Sequence, residues 1–236
     1  YDGGDLGCLC GPGRTVFKLW SPEAQRVELS LYRDDTSGAY EVLPLERGDR
    51  GVWTAAVEEN LHGTYYDYAV WSGGVRRTTA DPYATACGRN GGRSMAVELS
   101  RTHPEGWDRD RPPAAQPEQI IYELHVKDFS FDPNSGVPAQ YRGKFKAFSW
   151  RDERGRLPVC MKHLAGLGVT HVQLLPIFDF GSVDEGGSEE QFKWGYDPVN
   201  FNVPEGSYTT DPSDGAARVR ECKEMIQALH QNGMRV

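Results

Sequence analysis

A β-sandwich followed by a parallel α/β layer is the fold the sequence predicts, and three observations predict it. Short runs of alternating apolar and polar residues, punctuated by glycine turns, fill residues 15–99. A proline-rich stretch follows at 111–117. Beyond it, apolar runs of strand length alternate with stripes at helical spacing, the grammar of a parallel sheet with crossover helices.

In the first region Val27, Leu29 and Leu31 alternate with Glu28, Ser30 and Tyr32, the period-two signature of a half-buried strand. Val16–Trp20 and Val52–Val57 read as further strands, and Thr64–Trp71 places Tyr66, Tyr68 and Val70 on one face. Gly48, Gly63 and Gly73-Gly74 supply turns between them, so several short strands at this spacing argue for a sandwich. Arg111-Pro112-Pro113-Ala114-Ala115-Gln116-Pro117 suits neither helix nor paired strand, because proline brings no backbone donor. The domain division is therefore 1–110 for the sandwich, 111–118 for a linker and 119–236 for the α/β part.

In the α/β part, Ile120–Val126 reads as a buried strand and residues 127–155 as a long polar excursion. A helix is expected from Pro158, with Met161, Leu164 and Leu167 on one side and Gly168 as its C-terminal stop. Val169–Ile177 is near-continuously apolar, as strands covered on both faces tend to be. Asp211-Pro212 is expected to open a second helix, aspartate capping and proline in the first position. Its apolar stripe is Val219, Cys222, Met225, Ile226 and Leu229, closed by Gly233, and Met234-Arg235-Val236 reads as the start of a third strand. Breaking off there, the chain reads as a fragment.

Composition narrows the partners. The formal net charge is -8, and 38% of residues are hydrophobic. An acidic surface argues against nucleic acid and anionic membranes, which need basic patches. No apolar run approaches the ~18 residues that cross a bilayer. Cys8, Cys10, Cys87, Cys160 and Cys222 are odd in number and lack paired C-x-x-C spacing, so they read as free thiols, which favours a reducing compartment. No metal or cofactor is expected.

The stretch carrying chemistry is Gln191–Asn200, which sets Trp194, Tyr196 and Asp197 within four residues on a loop fixed by Gly195 and Pro198. Flat aromatic rings take the apolar faces of a pyranose, and a carboxylate takes its hydroxyls. The loop follows a strand, where α/β folds place their ligands. Asp179, Asp184 and Glu185 read as solvated loop carboxylates with no assigned role, while His125 and His171 read as hydrogen-bonded core residues and His163 as exposed. The aromatics Trp20, Trp53, Tyr66, Tyr68 and Trp71 read as sheet core and interdomain contact rather than a ligand platform. Gly88-Arg89-Asn90-Gly91-Gly92-Arg93 is a turn: it lacks the lysine and hydroxyl ending of a phosphate loop.

Phe192-Lys193-Trp194-Gly195-Tyr196-Asp197-Pro198 closely resembles the Y-N-W-G-Y-D-P signature of type I pullulanases, debranching enzymes of glycoside hydrolase family 13 in the α-amylase superfamily. Tyr1–Gly7 with Thr15–Pro22 resembles the opening of that family's carbohydrate-binding module of family 48, an immunoglobulin-like β-sandwich. Asp81–Ala84 and Asn90–Met95 resemble the link to the family's barrel, and Ile120–Ser130 and Val169–Phe180 its first two strands. Val203–Tyr208 follows the signature as it does in the family.

The resemblance implies the first part of a (β/α)8 barrel, cut at its third strand. It implies hydrolysis of α-1,6 linkages in pullulan, amylopectin, glycogen or limit dextrin by a retaining pair of carboxylates. By the family's pattern those residues follow the fourth and fifth strands, so none is assigned here and the fragment alone is expected to be inactive. Tyr196 corresponds to the tyrosine under the sugar at the cleavage subsite. Asp197 then bonds sugar hydroxyls or orients that ring, and Trp194 walls a neighbouring subsite. Two departures stand out: Lys193 where the family has asparagine, and Lys127 in place of arginine, which removes a forked ion pair. The competing readings are a branching or transferring enzyme of the same superfamily and a stand-alone glucan-binding protein.

Overall fold

The computed structural model describes residues 1–192 and 194–236. Two antiparallel sheets face each other at the N-terminal end. The first comprises β1 (Gly7–Gly11), β2 (Arg14–Trp20), β5 (Glu46–Arg47) and β6 (Val52–Val57) in the order β1-β2-β6-β5. The second is built on β3 (Arg26–Tyr32), β4 (Glu41–Pro44), β7 (Tyr65–Ser72), β8 (Val75–Thr79) and β9 (Ser94–Met95). Its order is β4-β3-β7-β8, with β9 pairing the start of β7.

Period-two alternation decides which side chains meet between the sheets. Phe17 and Leu19 from β2, Val27, Leu29 and Leu31 from β3, and Tyr66 and Tyr68 from β7 are all buried in one core. Phe17 and Tyr66 pack edge to face with centroids 4.9 Å apart, and the buried Tyr66 hydroxyl donates to Asp81 at 2.7 Å. Trp53 belongs to this core, but Trp20 does not: it is exposed, its Nε1 donating to the Arg50 carbonyl at 3.0 Å. Trp71 lies between Arg26 and Arg76, whose guanidinium carbons stand 4.7 and 5.4 Å from the ring. Cations occupy the ring faces that a sugar would need.

Residues 111–118 hold neither helix nor strand. After them β10 (Ile121–Leu124) pairs in parallel with β11 (His171–Leu174). Between these strands lie α1 (Val126–Ser130), α2 (Lys146–Ser149) and α3 (Val159–Gly166). Gly168, with φ of +73°, follows the end of α3 in the left-handed conformation expected of it. Next come β12 (Phe178–Phe180) and β13 (Pro198–Pro204), an antiparallel hairpin, and then α4 (Gly215–Gln231). Arg235 joins the far side of β11, its carbonyl accepting from Val172 N–H at 2.8 Å. Phe145, Phe148, Met161, Leu164, Tyr208, Met225 and Leu229 fill the core beneath.

Two sequence expectations need correction. The first strand is not buried: Ile121 is 59% exposed and Tyr122 also faces solvent. It pairs with β11 alone, and its other edge has no partner among the described residues. The second helix starts at Gly215 rather than after Asp211. Asp211 instead shapes the turn, accepting from Ser213 N–H at 3.0 Å. Asp214 is the cap, its Oδ1 accepting from Ala216 N–H at 2.9 Å and Ala217 N–H at 3.2 Å. Asp214→Ala is therefore expected to lose about 1 kcal/mol of stability in urea unfolding. If Asp211→Ala lost as much as Asp214→Ala, the assignment of the cap would be wrong.

The sandwich and α4 share a small apolar cluster of Tyr32, Tyr65, Ala86, Met95 and Val97 with Ala216 and Val219. The Tyr65 hydroxyl also donates to the Ser213 carbonyl just before the helix.

Candidate functional site

The connection between β12 and β13 carries the aromatic signature. Phe192, Trp194 and Tyr196 are 75%, 61% and 58% exposed, and their rings form a row. Phe192 and Trp194 are stacked with centroids 5.9 Å apart at 26°, and Trp194 and Tyr196 are 5.6 Å apart at 50°. Exposing three large rings side by side forgoes the burial that normally favours them, which marks the row as a contact surface. Lys193, the departure noted in the sequence, lies outside the described residues.

The row stands on a braced backbone. Gly195 is buried with φ of +84°, and a Cβ there would stand 3.0 Å from Pro176 Cβ and 3.3 Å from the Phe180 ring. Only glycine satisfies both the left-handed backbone and that close approach. The Asp197 carbonyl accepts from Gly181 N–H at 3.1 Å, while its side chain is exposed beside Tyr196. On the other flank, Gln191 Oε1 accepts from Asp184 N–H at 2.9 Å, and its Nε2 donates to the Asp184 and Ser188 carbonyls. Lys127 Nζ donates to the Gln191 carbonyl at 2.9 Å and lies 4.5 Å from the Phe131 ring centroid. This lysine is buried and serves a carbonyl, which needs one donor, so a guanidinium fork is not required in its place.

Both core histidines are hydrogen-bonded. His125 Nδ1 accepts from Asp128 N–H at 3.3 Å, capping α1, and its Nε2 is 3.1 Å from the Tyr208 hydroxyl. A neutral imidazole accepting at Nδ1 carries its proton at Nε2, so Tyr208 receives it. His171 Nδ1 lies 2.9 Å from Thr170 Oγ1. His163 is exposed.

Under the hairpin lies a charged knot that the sequence does not announce. Asp179 and Glu185 are not solvated: both are buried around the fully buried Arg218 of α4, and only Asp184 stays at the surface. Arg218 Nη1 donates to Glu185 Oε1 at 2.9 Å and Asp179 Oδ1 at 3.2 Å. Its Nη2 donates to Glu185 Oε2 at 2.5 Å, to the Gly88 carbonyl at 2.7 Å and to the Pro212 carbonyl at 2.8 Å. Gly206 packs against both charges, and a side chain there would collide with the guanidinium and with Glu185. From the sandwich side Asn90 N–H donates to Glu185 Oε2 at 2.6 Å, and Asn90 Oδ1 accepts from Glu185 N–H at 2.8 Å.

Glu205, also fully buried, accepts from Phe180 N–H at 3.0 Å and Ser207 N–H at 2.9 Å, joining β12 to the turn that follows β13. Burial pushes its carboxyl up to about 7, and the neighbouring Glu185 adds to the shift. Burial works against the charge on Arg218, but Cys87, Glu185 and Asp179 around it raise its pKa and keep it protonated. Asp179, Glu185 and Glu205 each bring an oxygen within 4.8 Å of the others. The guanidinium bonded to two of them supplies the cation this group needs, so the cluster is an ion-pair knot. One sequence signal points to it: Arg218 falls on the line of Cys222, Met225 and Leu229, the buried face of α4.

Residues 5–84 match carbohydrate-binding module 48 (isoamylase N-terminal domain), so the chain carries a sandwich of that class. Over its whole length the chain is similar to pullulanases, as the motifs implied. The pullulanase of Bacillus subtilis (strain 168) is 35% identical, the alignment covering 100% of this chain and 32% of that protein. Pullulanase 1, chloroplastic, of Arabidopsis thaliana is 33% identical, with 100% of this chain and 28% of that one covered. Among solved structures, a pullulanase from Paenibacillus barengoltzii in complex with maltohexaose and alpha-cyclodextrin superposes with a TM-score of 0.93 at 44% identity, over 100% of this chain and 37% of that one. The pullulanase of Anoxybacillus sp. LM18-11 complexed with maltotriose gives a TM-score of 0.88 at 36% identity, over 100% and 34%. The chain spans about a third of the length of the curated relatives it matches.

Proposed function

We propose that the chain is the glucan-holding front part of a debranching hydrolase that cleaves α-1,6 linkages in pullulan, starch or glycogen. The observation that carries this reading is the exposed ring row on the β12–β13 connection, in a chain similar throughout to pullulanases. Residues 1–110 form the sandwich module, 111–118 the linker, and 119–236 the first strands and helices of a (β/α)8 barrel. In support, β10, β11 and Arg235 lie side by side in parallel with helices between them, as barrel strands do.

In this reading Tyr196 lies under the sugar at the cleavage point, Trp194 under its neighbour, and Asp197 accepts sugar hydroxyls at the edge. A flat ring beneath the pyranose favours the flattened, oxocarbenium-like geometry, so part of its effect falls on the chemical step. The two carboxylates that break the bond belong, by the family's order, to later strands. The chain alone is expected to release no reducing sugar from pullulan yet to bind maltotriose in isothermal titration. Tyr196→Ala should weaken that binding on the order of 10-fold, the loss of one aromatic contact of about 1.4 kcal/mol. Unchanged affinity in Tyr196→Ala would remove the platform from the binding site.

A further inference from the structure

The connection that bears Trp194 and Tyr196 is held from outside its own hairpin, by a turn of the sandwich at residues 88–93. Gly88 N–H donates to the Arg93 carbonyl at 2.9 Å, closing that turn. Arg89 N–H donates to Asp35 at 3.2 Å, and the Arg93 guanidinium donates to the Asp34 carbonyl at 3.0 Å and lies over the Tyr32 ring. The turn is thus rooted at the end of β3.

At its tip Asn90 has φ of +57°, in the left-handed region that few residues other than glycine adopt. From there it makes three bonds to two consecutive residues of the connection. Its Nδ2 donates to Asp184 Oδ1 at 3.2 Å, its Oδ1 accepts from Glu185 N–H at 2.8 Å, and its N–H donates to Glu185 Oε2 at 2.6 Å. The neighbouring Gly91 carbonyl accepts from Asn200 Nδ2 of β13 at 3.3 Å. Asp184 is in turn bonded twice to Gln191: its N–H donates to Gln191 Oε1 at 2.9 Å, and its carbonyl accepts from Gln191 Nε2 at 2.8 Å. Gln191 precedes the rings and Asn200 follows them. Both ends of the ring-bearing segment are therefore tied back to residues 90 and 91. A loop ordered before its ligand arrives is spared the entropy of ordering on binding.

We propose that Asn90 is a positioning residue for the glucan platform: the sandwich acts on sugar binding by holding the ring-bearing connection in place. The proposal rests on the reading of Tyr196 and Trp194 as that platform and adds a determinant from the other half of the chain.

Hydrogen exchange and maltotriose titration on the full 236-residue chain test it. Asn90→Gly keeps the left-handed backbone and deletes both side-chain bonds. It should quicken exchange across residues 184–192 about 10-fold and weaken maltotriose about 5-fold. Asn90→Asp should also weaken maltotriose, since it sets a carboxylate against Asp184. Adding Asp184→Asn reverses donor and acceptor, and the double variant should regain the parent's affinity and exchange rates. Leu29→Val, which trims the core between the sheets, is the stability control: it should lower the unfolding midpoint and leave maltotriose affinity unchanged. Faster exchange in Asn90→Gly with the parent's affinity would overturn the proposal. So would a Leu29→Val chain that binds as weakly as Asn90→Gly, or a double variant with the parent's midpoint and the affinity of Asn90→Asp. In each of these cases a loss of binding in Tyr196→Ala leaves the platform reading standing. If Tyr196→Ala matches the parent, or the parent binds no maltotriose, the platform reading itself fails and the role of Asn90 falls with it.

Discussion

Replacing Arg218 with methionine should destabilise the chain by about 3–5 kcal/mol, the cost of stranding buried charge. Methionine matches the aliphatic stem, so packing is largely kept. What is lost is the fork that serves Glu185 at 2.9 and 2.5 Å and Asp179 at 3.2 Å. Two carboxylates would then lie buried without a cation, and the carbonyls of Gly88 and Pro212 would lose a donor. Arg218→Lys should be intermediate, since one ammonium cannot span both oxygens of Glu185. Adding Glu185→Gln to Arg218→Met should recover part of the loss, because one of the two stranded charges is then removed. Urea unfolding of the four proteins measures all of this. A loss below about 1 kcal/mol for Arg218→Met, the range of exposed ion pairs, would show that the knot contributes nothing beyond a surface contact.

The second large effect is a fall in stability as pH rises from 4.5 to 7. Over that window Glu205 is protonated when folded, its carboxyl pushed up to about 7, and ionised when unfolded, where it titrates near 4.5. The folded chain holds the extra proton, so raising the pH favours unfolding. Below 4.5 both states are protonated and the contribution is constant; above 7 both are ionised and the loss is complete. The shift corresponds to about 3 kcal/mol. Asp67, Asp81 and Glu221, all raised mainly by burial, act in the same direction. Glu205→Gln loses one of the two bonds from Phe180 and Ser207 N–H at every pH, because an amide has a single acceptor oxygen. Its stability should therefore be lower at pH 5 but flatter between pH 5 and 7. Parallel pH curves for the two proteins would exclude Glu205 as the titrating group.

The sandwich was legible because each of its central strands buries one face. In Val27, Leu29, Leu31, Tyr66 and Tyr68 the alternation in sequence is the alternation in space. The α4 stripe was legible for the same reason at helical period. Its start is not legible because Asp211 and Asp214 can both cap a helix, and only the chain path decides which aspartate meets free N–H groups. The exposure of Ile121 is not legible because an apolar run records what a strand can bury, not which neighbours stand against it. The site divides similarly. Trp194, Tyr196 and Asp197 stand out as candidates by residue type and spacing, whereas the charged knot draws Asn90, the pair Asp179 and Glu185, and Arg218 from three separate stretches. No local pattern joins those four.

The span of the knot bears on how the protein is put together. Arg218 reaches back 130 residues to Gly88, and Asn90 reaches forward 95 to Glu185. During synthesis the sandwich strands leave the ribosome first and can close on local pairings. Asp179 and Glu185 emerge next, before their partner Arg218 has been made, and carboxylates without a counter-charge stay hydrated. The hairpin can settle against the module only after Arg218 has emerged on α4. The ring row it carries is thus among the last surfaces of this chain to acquire a fixed place.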